Sequence, residues 1–209
     1  MTSSHTDGID KAIAIFSDAS FCSETGAGAG AYWIKSGEVE LSAGHGLKGV
    51  QQPHDAEVLA ACKAIDAAAA HPTLFSRLRL GAKTQLLLYV DCDAVIQVLT
   101  NRRPVRLSAA AQKAVDSVRA LIARLGCKLQ VFHVKAHSGV NTPQKRHNRW
   151  CDARSRTSMR SIRGNILNLL KKKQKPASVT KGADGSLTLN IPWTPPKETG
   201  RPMFAVAPA

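Results

Sequence analysis

Short apolar runs along the chain are separated by longer segments in which apolar residues recur at helical spacing. The apolar runs predict five strands, over 11–16, 31–35, 38–46, 84–91 and 127–135. The longer segments predict four helices, over 54–71, 94–100, 108–126 and 147–173. The first three strands would form hairpins and the later ones would follow helical crossovers, so the order predicts a mixed α/β domain.

Proline and glycine mark several boundaries of these predicted elements. Pro53 and Pro72 flank the first helix, and Gly126 ends the third. The glycines of 23–30, "SETGAGAG", predict a turn before the second strand. This stretch lacks the G-K-[ST] ending of a phosphate-binding loop, and a strand follows it, which disfavours that interpretation.

Composition adds a strong positive charge to this picture. The 209 residues include 29 Lys+Arg and 15 Asp+Glu, which gives a net charge of +14 and favours a polyanion such as nucleic acid as partner. The alternative is a basic surface that only keeps the protein soluble. The excess extends into the Pro- and Gly-rich C-terminal part of the chain. We therefore expect a flexible N-terminus over 1–10, a domain over 11–172 and a basic tail over 173–209, with one possible strand in "SLTLNIPW".

Cysteine spacing and hydropathy bear on the compartment. The five cysteines form no C-x-x-C pair, which disfavours zinc, and each lies in or beside an apolar stretch. They fit the reducing cytoplasm. The N-terminus lacks the basic and apolar regions of a signal peptide, and no apolar run approaches the roughly 20 residues that span a bilayer. We expect a cytoplasmic monomer with no membrane partner.

Four carboxylates stand beside predicted strands and helices: Asp18, Glu57, Asp91 and Asp152. Asp18 and Asp91 follow apolar runs, whereas Glu57 and Asp152 lie near helix starts. If the first and fourth strands are parallel neighbours, all four acids can meet at one end of the sheet. A single aspartate at such a place is commonly a cap, but four together suit Mg²⁺, which binds carboxylates and substrate phosphates.

Four segments resemble motifs of type I ribonuclease H. They are "AIFSDAS", "HDAEVLAACKAI", "LLLYVDCDAVIQVL" and "HVKAHSGVNTPQKRHNRWCDARSR". The last is the most specific, since it keeps His137, Ser138, Gly139, Asn148 and Asp152 in order. The resemblance covers roughly residues 12–157 and implies a ribonuclease H-like α/β fold, a five-stranded mixed sheet flanked by helices. The composition adds a basic C-terminal extension to this fold. It also implies hydrolysis of the RNA strand of RNA–DNA hybrids, leaving a 3′-hydroxyl and a 5′-phosphate.

The resemblance assigns roles residue by residue. Asp18, Glu57, Asp91 and Asp152 match the acids that bind two Mg²⁺ ions, for which Mn²⁺ can substitute. His137 matches a loop histidine that assists water activation or product release. Catalytic residues are therefore expected at these five positions. The residues expected to contact nucleic acid are Ser20, Glu24, His54, Arg102, Arg103, Asn148, Arg149 and Arg156.

The chain also departs from the family pattern. Glu24 and the pair His54–Asp55 replace residues that read the hybrid, and a carboxylate there would repel phosphates unless it points elsewhere. Asp93 could compete with Asp91 for the metal. The family's basic protrusion is missing, so the arginines of 102–106 or the basic last helix would supply phosphate contacts.

Two other functions stay open. A DNA endonuclease of the resolvase or transposase kind shares this fold, but the His-Ser-Gly loop favours the ribonuclease branch. The replacements at Glu24 and His54–Asp55 favour a non-catalytic nucleic-acid-binding module. The four intact acids disfavour it, because they repel one another when they bind no metal ion.

Overall fold

The structure is a computed structural model that describes residues 12–72, 74, 84–134, 142–173, 178–181 and 187–190. Its main sheet has five strands: β1 (Ala12–Cys22), β2 (Ala27–Ser36), β3 (Val39–Leu47), β4 (Gln85–Val90) and β5 (Lys128–His133). They lie in the order β3-β2-β1-β4-β5. The pairs β1–β2 and β2–β3 are antiparallel, while β1–β4 and β4–β5 are parallel. The predicted mixed sheet is thereby confirmed.

Within the described residues, four helices accompany the sheet: α1 (Pro53–Ala70), α2 (Asp93–Leu99), α3 (Ala109–Leu125) and α4 (Pro143–Lys173). In α3 the side chain of Ser108 accepts a hydrogen bond from the Ala111 amide, and Gly126 ends the helix in the left-handed conformation. None of the described helices combines the length and the apolar character needed to cross a membrane.

The glycine-rich stretch corrects one expectation. The predicted turn over 23–30 is shorter, because β2 already begins at Ala27. Gly30 lies inside this strand, where an added Cβ would stand only 2.7 Å from the Cβ of Ala60 in α1. The glycine is therefore a strand residue that lets α1 approach the sheet closely.

Helix α4 also begins earlier than predicted. It starts at Pro143, with the Thr142 hydroxyl accepting a hydrogen bond from the Lys145 amide at 3.3 Å. This is a helix start with a hydroxyl cap and proline in the first turn. Asp152 consequently lies more than two turns inside the helix, and not at its beginning.

The two faces of the sheet pack differently. One face carries aliphatic residues such as Ile15 and Leu88, which form the main core with α1, α2 and α3. The other face carries an aromatic row across four neighbouring strands: Trp33, Phe16, Tyr89 and Phe132. Consecutive rings of this row from Phe16 to Phe132 are stacked, with centroids 4.8 and 5.1 Å apart. Helix α4 covers one end of the row.

Two side chains of α4 make the contacts with the row. His147 lies 4.8 Å from the rings of both Phe16 and Trp33, and Trp150 meets Trp33 edge-on at 5.0 Å. Cys151 is fully buried beside them. Aromatic contacts of this geometry stabilise beyond simple area burial. They fix the part of α4 from which Asn148, Asp152 and Ser155 project.

The Asp55 carboxylate lies away from the surface, which removes the phosphate repulsion that the sequence suggested for it. Its side chain is completely buried, and it accepts hydrogen bonds from the amides of Ser108 at 2.9 Å and Gln51 at 3.3 Å. The nearby Arg106 carbonyl contacts His54 Nε2 at 3.0 Å. Asp55 therefore joins the start of α1 to the start of α3.

The chain forms two units, Met1–Leu167 and Asn168–Ala209. The first contains the sheet and most of α4. In the second, β6 (Ser178–Lys181) pairs with β7 (Leu187–Asn190) in an antiparallel hairpin. The expected added strand therefore exists over Leu187–Asn190, whereas its partner was not predicted. The domain limits given in the sequence analysis stay a prediction.

We expect Asp55→Ala to lower the free energy of unfolding by about 1–3 kcal/mol, because it leaves two buried amides without an acceptor. Urea denaturation measures this. Asp116→Ala is the matched control, since the Asp116 side chain is 61% exposed and its removal should change stability by less than about 0.5 kcal/mol. Equal effects of the two substitutions would contradict the structural role of Asp55.

Candidate metal centre

Three acidic side chains meet at one end of the sheet. Oxygen atoms of Asp18, Glu57 and Asp91 all lie within 4.8 Å of one another. Asp18 does not follow the first strand, as the sequence predicted, but lies inside β1, two residues beyond the last parallel pair with β4, Phe16 and Tyr89. The two strands separate there, and Asp91 directly follows β4. Glu57 reaches the same place from α1.

Burial and mutual repulsion shift the proton affinities of these acids. Burial raises the pKa of Asp18 to about 7, against a lowering by the hydrogen bond from Ser155, with further raising by Asp91 and Asp152. Burial also raises the pKa of Glu57 well above its ordinary value, and repulsion from Asp18 and Asp91 adds to this. In a metal-free protein, protons therefore compensate the gathered charge.

Asp152 lies at the same site but outside the group of three. Its carboxylate forms an ion pair with Arg156, with Oδ1 and Nε 2.7 Å apart. It still faces the other acids closely enough to raise the pKa values of both Asp18 and Glu57. The structure therefore brings three of the four predicted acids together and shows the fourth paired with a cation beside them.

A cleft of about 340 Å³ opens beside these acids. Asp91, Asn148 and Asp152 line it, together with three basic side chains: Lys145, Arg149 and Arg156. Lys145 is only 8% exposed and lines the cleft from its buried side. Carboxylates and cations face a common space, which suits a ligand that carries both a bound cation and negative phosphates.

Hydrogen bonds from α4 hold two of the acids. The Ser155 hydroxyl donates to Oδ2 of Asp18 at 2.7 Å, and the Asn148 amide donates to Oδ2 of Asp91 at 3.4 Å. Ser155 also contacts the Ser20 hydroxyl at 3.1 Å. The helix therefore orients one carboxylate of β1 and one that directly follows β4.

The predicted nucleic-acid contacts fall into three groups. Asn148, Arg149 and Arg156 line the cleft. Arg102 and Arg103 are exposed on the segment between α2 and α3. The remaining three have partners within the protein: Ser20 as above, His54 on the Arg106 carbonyl, and Glu24 on Arg163, which donates to its carboxylate at 2.9 Å.

Two other sequence-based expectations concern neighbouring residues. Asp93 is not in the acidic group, and its side chain is 76% exposed, 4.0 Å from the ring of His133. Asp91, and not Asp93, is therefore the aspartate of the acidic group. His137 and its neighbours in the His-Ser-Gly loop lie outside the described residues.

Sequence reasoning missed Ser155 and Lys145. Both lie on the stripe of α4 that carries Asn148 and Asp152: Ser155 comes three residues after Asp152, and Lys145 comes seven before it. Residues at these spacings share one helix face. The spacing could have predicted that these residues share a helix face. The sequence did not show that this face meets the acids.

The acidic group fits a divalent cation. Three carboxylates supply only oxygen ligands, and their gathered charge is uncompensated unless a proton or a cation is present. Oxygen ligands of this kind suit hard ions such as Mg²⁺ or Mn²⁺. Asp18, Glu57 and Asp91 are the residues that would hold such an ion.

Comparison with protein families identifies the chain. A model of the RNase H family matches residues 10–160, and the chain belongs to this family. No curated protein sequence matches the chain in a direct comparison. Ribonuclease activity, nucleic-acid binding and the use of divalent metals are general features of this family, and the acidic group found here agrees with them.

Solved structures show the same fold. The N-terminal RNase H domain of rv2228c from Mycobacterium tuberculosis has a TM-score of 0.53 at 13% identity, covering 74% of this chain and 98% of that one. RNase H1 from Halobacterium salinarum NRC-1 has 0.50 at 16%, covering 72% and 98%. LC11-RNase H1, solved in complex with RNA/DNA hybrid, has 0.50 at 14%, covering 68% and 92%.

The raised proton affinities predict that metal-free stability falls as pH rises from about 4 to 7. In this window, between the ordinary pKa of 3.8 and the folded value of about 7, folded Asp18 holds a proton that the unfolded chain has lost. Unfolding then releases a proton, so each such group lowers the free energy of unfolding by up to about 1.4 kcal/mol per pH unit. Urea denaturation in a chelator measures this dependence.

Asp18→Asn should reduce this pH dependence, because the amide has no proton to lose in this range and only the contribution of Glu57 remains. Glu38→Gln, at an exposed turn, should leave it unchanged. Excess Mg²⁺ should reverse the slope, since the ion binds the deprotonated carboxylates of the folded state. A metal-free stability that rises with pH through this window would contradict the assignment.

Proposed function

We propose that the protein is a metal-dependent endonuclease that hydrolyses the RNA strand of RNA–DNA hybrids. The observation that carries the proposal is the meeting of Asp18, Glu57 and Asp91 beside a cleft with basic walls, in a chain of the RNase H family. Two Mg²⁺ ions are the expected cofactors, with Asp152 completing the ligand set. Bound there, they would activate water and stabilise the leaving oxygen of a phosphodiester.

The residues of the chain would divide the remaining work. Asp18, Glu57 and Asp91 would hold the cations, and Asn148 and Ser155 would orient two of these carboxylates. Lys145, Arg149 and Arg156 would bind the phosphates on either side of the scissile bond. His137 remains the predicted residue for proton transfer or product release.

Charge compensation at Glu24 and Asp55 is compatible with a nucleic-acid substrate. The Glu24 carboxylate, expected near the hybrid, is paired with Arg163, and Asp55 is buried with two amide donors. Neither acid therefore presents an uncompensated charge to a phosphate backbone. One of the solved neighbours was crystallised with RNA/DNA hybrid, which agrees with this substrate class.

The segment between α2 and α3 would supply phosphate contacts that the missing basic protrusion cannot. Its carbonyl at Arg106 is held by Gln52 and His54, at 3.1 and 3.0 Å, and the Ser108 amide is held by Asp55. Arg102 and Arg103 are exposed at the beginning of this segment, and its end is fixed to α1, the helix that carries Glu57. A fixed segment loses less conformational entropy when it binds.

A non-catalytic hybrid-binding protein is the second candidate. The observation that favours it is the ion pair of Asp152 with Arg156, which occupies the fourth acid with a protein cation. Such a protein would bind hybrid without needing a divalent ion.

The expected cytoplasmic location stays part of the proposal, with all five cysteines unpaired in support. The monomeric state also stays a prediction.

Cleavage of labelled substrates tests the main proposal. We expect cutting of the RNA strand of an RNA–DNA hybrid with Mg²⁺ or Mn²⁺, and none with a chelator. Asp91→Asn should slow cutting by roughly a thousandfold, because several kcal/mol of metal-dependent stabilisation is lost. Asp93→Asn, two residues away and exposed, is the matched control and should cut at nearly the wild-type rate.

Duplex DNA, duplex RNA and single-stranded RNA complete the experiment. Cutting of DNA would move the protein to the resolvase or transposase kind of nuclease. Hybrid binding with no cutting under any metal condition would support the non-catalytic candidate and overturn the proposed activity.

The salt dependence of hybrid binding tests the proposed phosphate contacts. Binding should be measured with Ca²⁺, to prevent turnover, over a range of salt concentrations. The double variant Arg102→Gln/Arg103→Gln should bind more weakly and should reduce the slope of log K against log salt by about 1.4–1.8, because two phosphate contacts are lost.

Arg124→Gln/Lys128→Gln is the control of equal charge. Arg124 lies in the last turn of α3, at the opposite end from Ser108, and Lys128 pairs with Gln85 at the beginning of β4, opposite the end where Asp91 lies. This variant should keep the wild-type slope. Equal slope changes in both variants would mean that net charge alone, and not the fixed segment, sets the affinity.

A further inference from the structure

We infer that Ser155 is a positioning residue for the proposed metal centre: its hydroxyl holds the Asp18 carboxylate at Oδ2 and so fixes the orientation in which this carboxylate would meet the cation. The inference rests on the proposed function, since it concerns the same centre. Neither the sequence motifs nor the family match points to this serine. Its own contacts carry the argument.

Ser155 is placed to act on Asp18 and on nothing in solution. The residue has no exposed surface, and Asp18 is only 5% exposed. The distance of 2.7 Å between Ser155 Oγ and Asp18 Oδ2 is typical of a hydroxyl that donates to a carboxylate. A buried donor on a buried acceptor cannot be replaced by bulk water, so the contact fixes the rotation of the carboxylate.

The neighbours of Ser155 determine the direction of its single proton. Its oxygen also lies 3.0 Å from the Asp152 carbonyl and 3.1 Å from the Ser20 hydroxyl. A hydroxyl has one proton, and the carboxylate of Asp18 is a stronger acceptor than a carbonyl. Ser20 can then donate to Ser155, which gives the sequence Ser20 to Ser155 to Asp18.

This chain of hydroxyls links two parts of the centre. Ser20 lies on β1, two residues after Asp18, and Ser155 lies on α4, three residues after Asp152. A hydrogen bond between α4 and Asp18 therefore sets the relative position of the strand acid and the helix acid. Partners of metal ligands that act in this way typically change metal affinity by about ten- to a hundredfold.

The first test is metal binding by the full chain without nucleic acid. Titration calorimetry and the electron paramagnetic resonance signal of free Mn²⁺ give the dissociation constant. Ser155→Ala should raise this constant by about ten- to a hundredfold. Ser161→Ala, an exposed serine of the same helix, should leave it unchanged.

A second variant separates hydrogen bonding from packing. Ser155→Cys fills the buried space of the hydroxyl but donates only weakly. If Ser155 positions Asp18, the cysteine variant should bind metal as poorly as the alanine variant while being closer to wild type in urea stability. Wild-type metal affinity in either the alanine or the cysteine variant would overturn the inference.

Hybrid cleavage supplies the readout that a purely structural role would not give. Ser155→Ala should lower kcat at limiting Mg²⁺, recover most of it at saturating Mg²⁺, and keep the KM for hybrid. A defect that saturating Mg²⁺ does not reduce would overturn the inference. If the wild type binds no metal, the proposed function itself fails; if the wild type binds and cuts but the Ser155 variants match it, only this inference fails.

Discussion

Repulsion among the gathered carboxylates is the constraint on which the rest of this structure depends. Oxygen atoms of Asp18, Glu57 and Asp91 lie within 4.8 Å of one another. Burial and this repulsion raise the pKa values of Asp18 and Glu57 well above their ordinary values. The parallel pairing of β1 with β4 holds two of them, and α1 holds the third. The folding energy of the whole domain thus maintains a site that is locally unfavourable without a cation.

The aromatic face of the sheet fixes the position of α4, the helix that contacts these acids. Trp33 and Phe16 pack against His147 and Trp150 of α4, and the same helix presents Ser155 to Asp18. The aromatic packing therefore fixes the position of the hydrogen-bond donor Ser155. The site depends on α4 as much as on the strands that carry the acids.

Much of the fold could be predicted from local pattern, because strands and helices follow apolar spacing and their ends follow residues such as Gly126. The closeness of Asp18 and Asp91 followed from parallel pairing. The sequence could not show that Glu24 pairs with Arg163 or that Asp55 is buried. Those outcomes depend on which partner a charged side chain meets in three dimensions, and a linear pattern does not contain that information.

The close approach at Gly30 has a genetic consequence. This glycine pairs with Ala19, the neighbour of Asp18, and it lies against Ala60, one turn after Glu57. A single added methyl group would press on α1 and displace the glutamate, although Gly30 has no chemical role. Alleles at this codon would therefore resemble alleles of Asp18 or Glu57 in a screen for lost function, and suppressors would be expected among residues that restore the spacing between strand and helix.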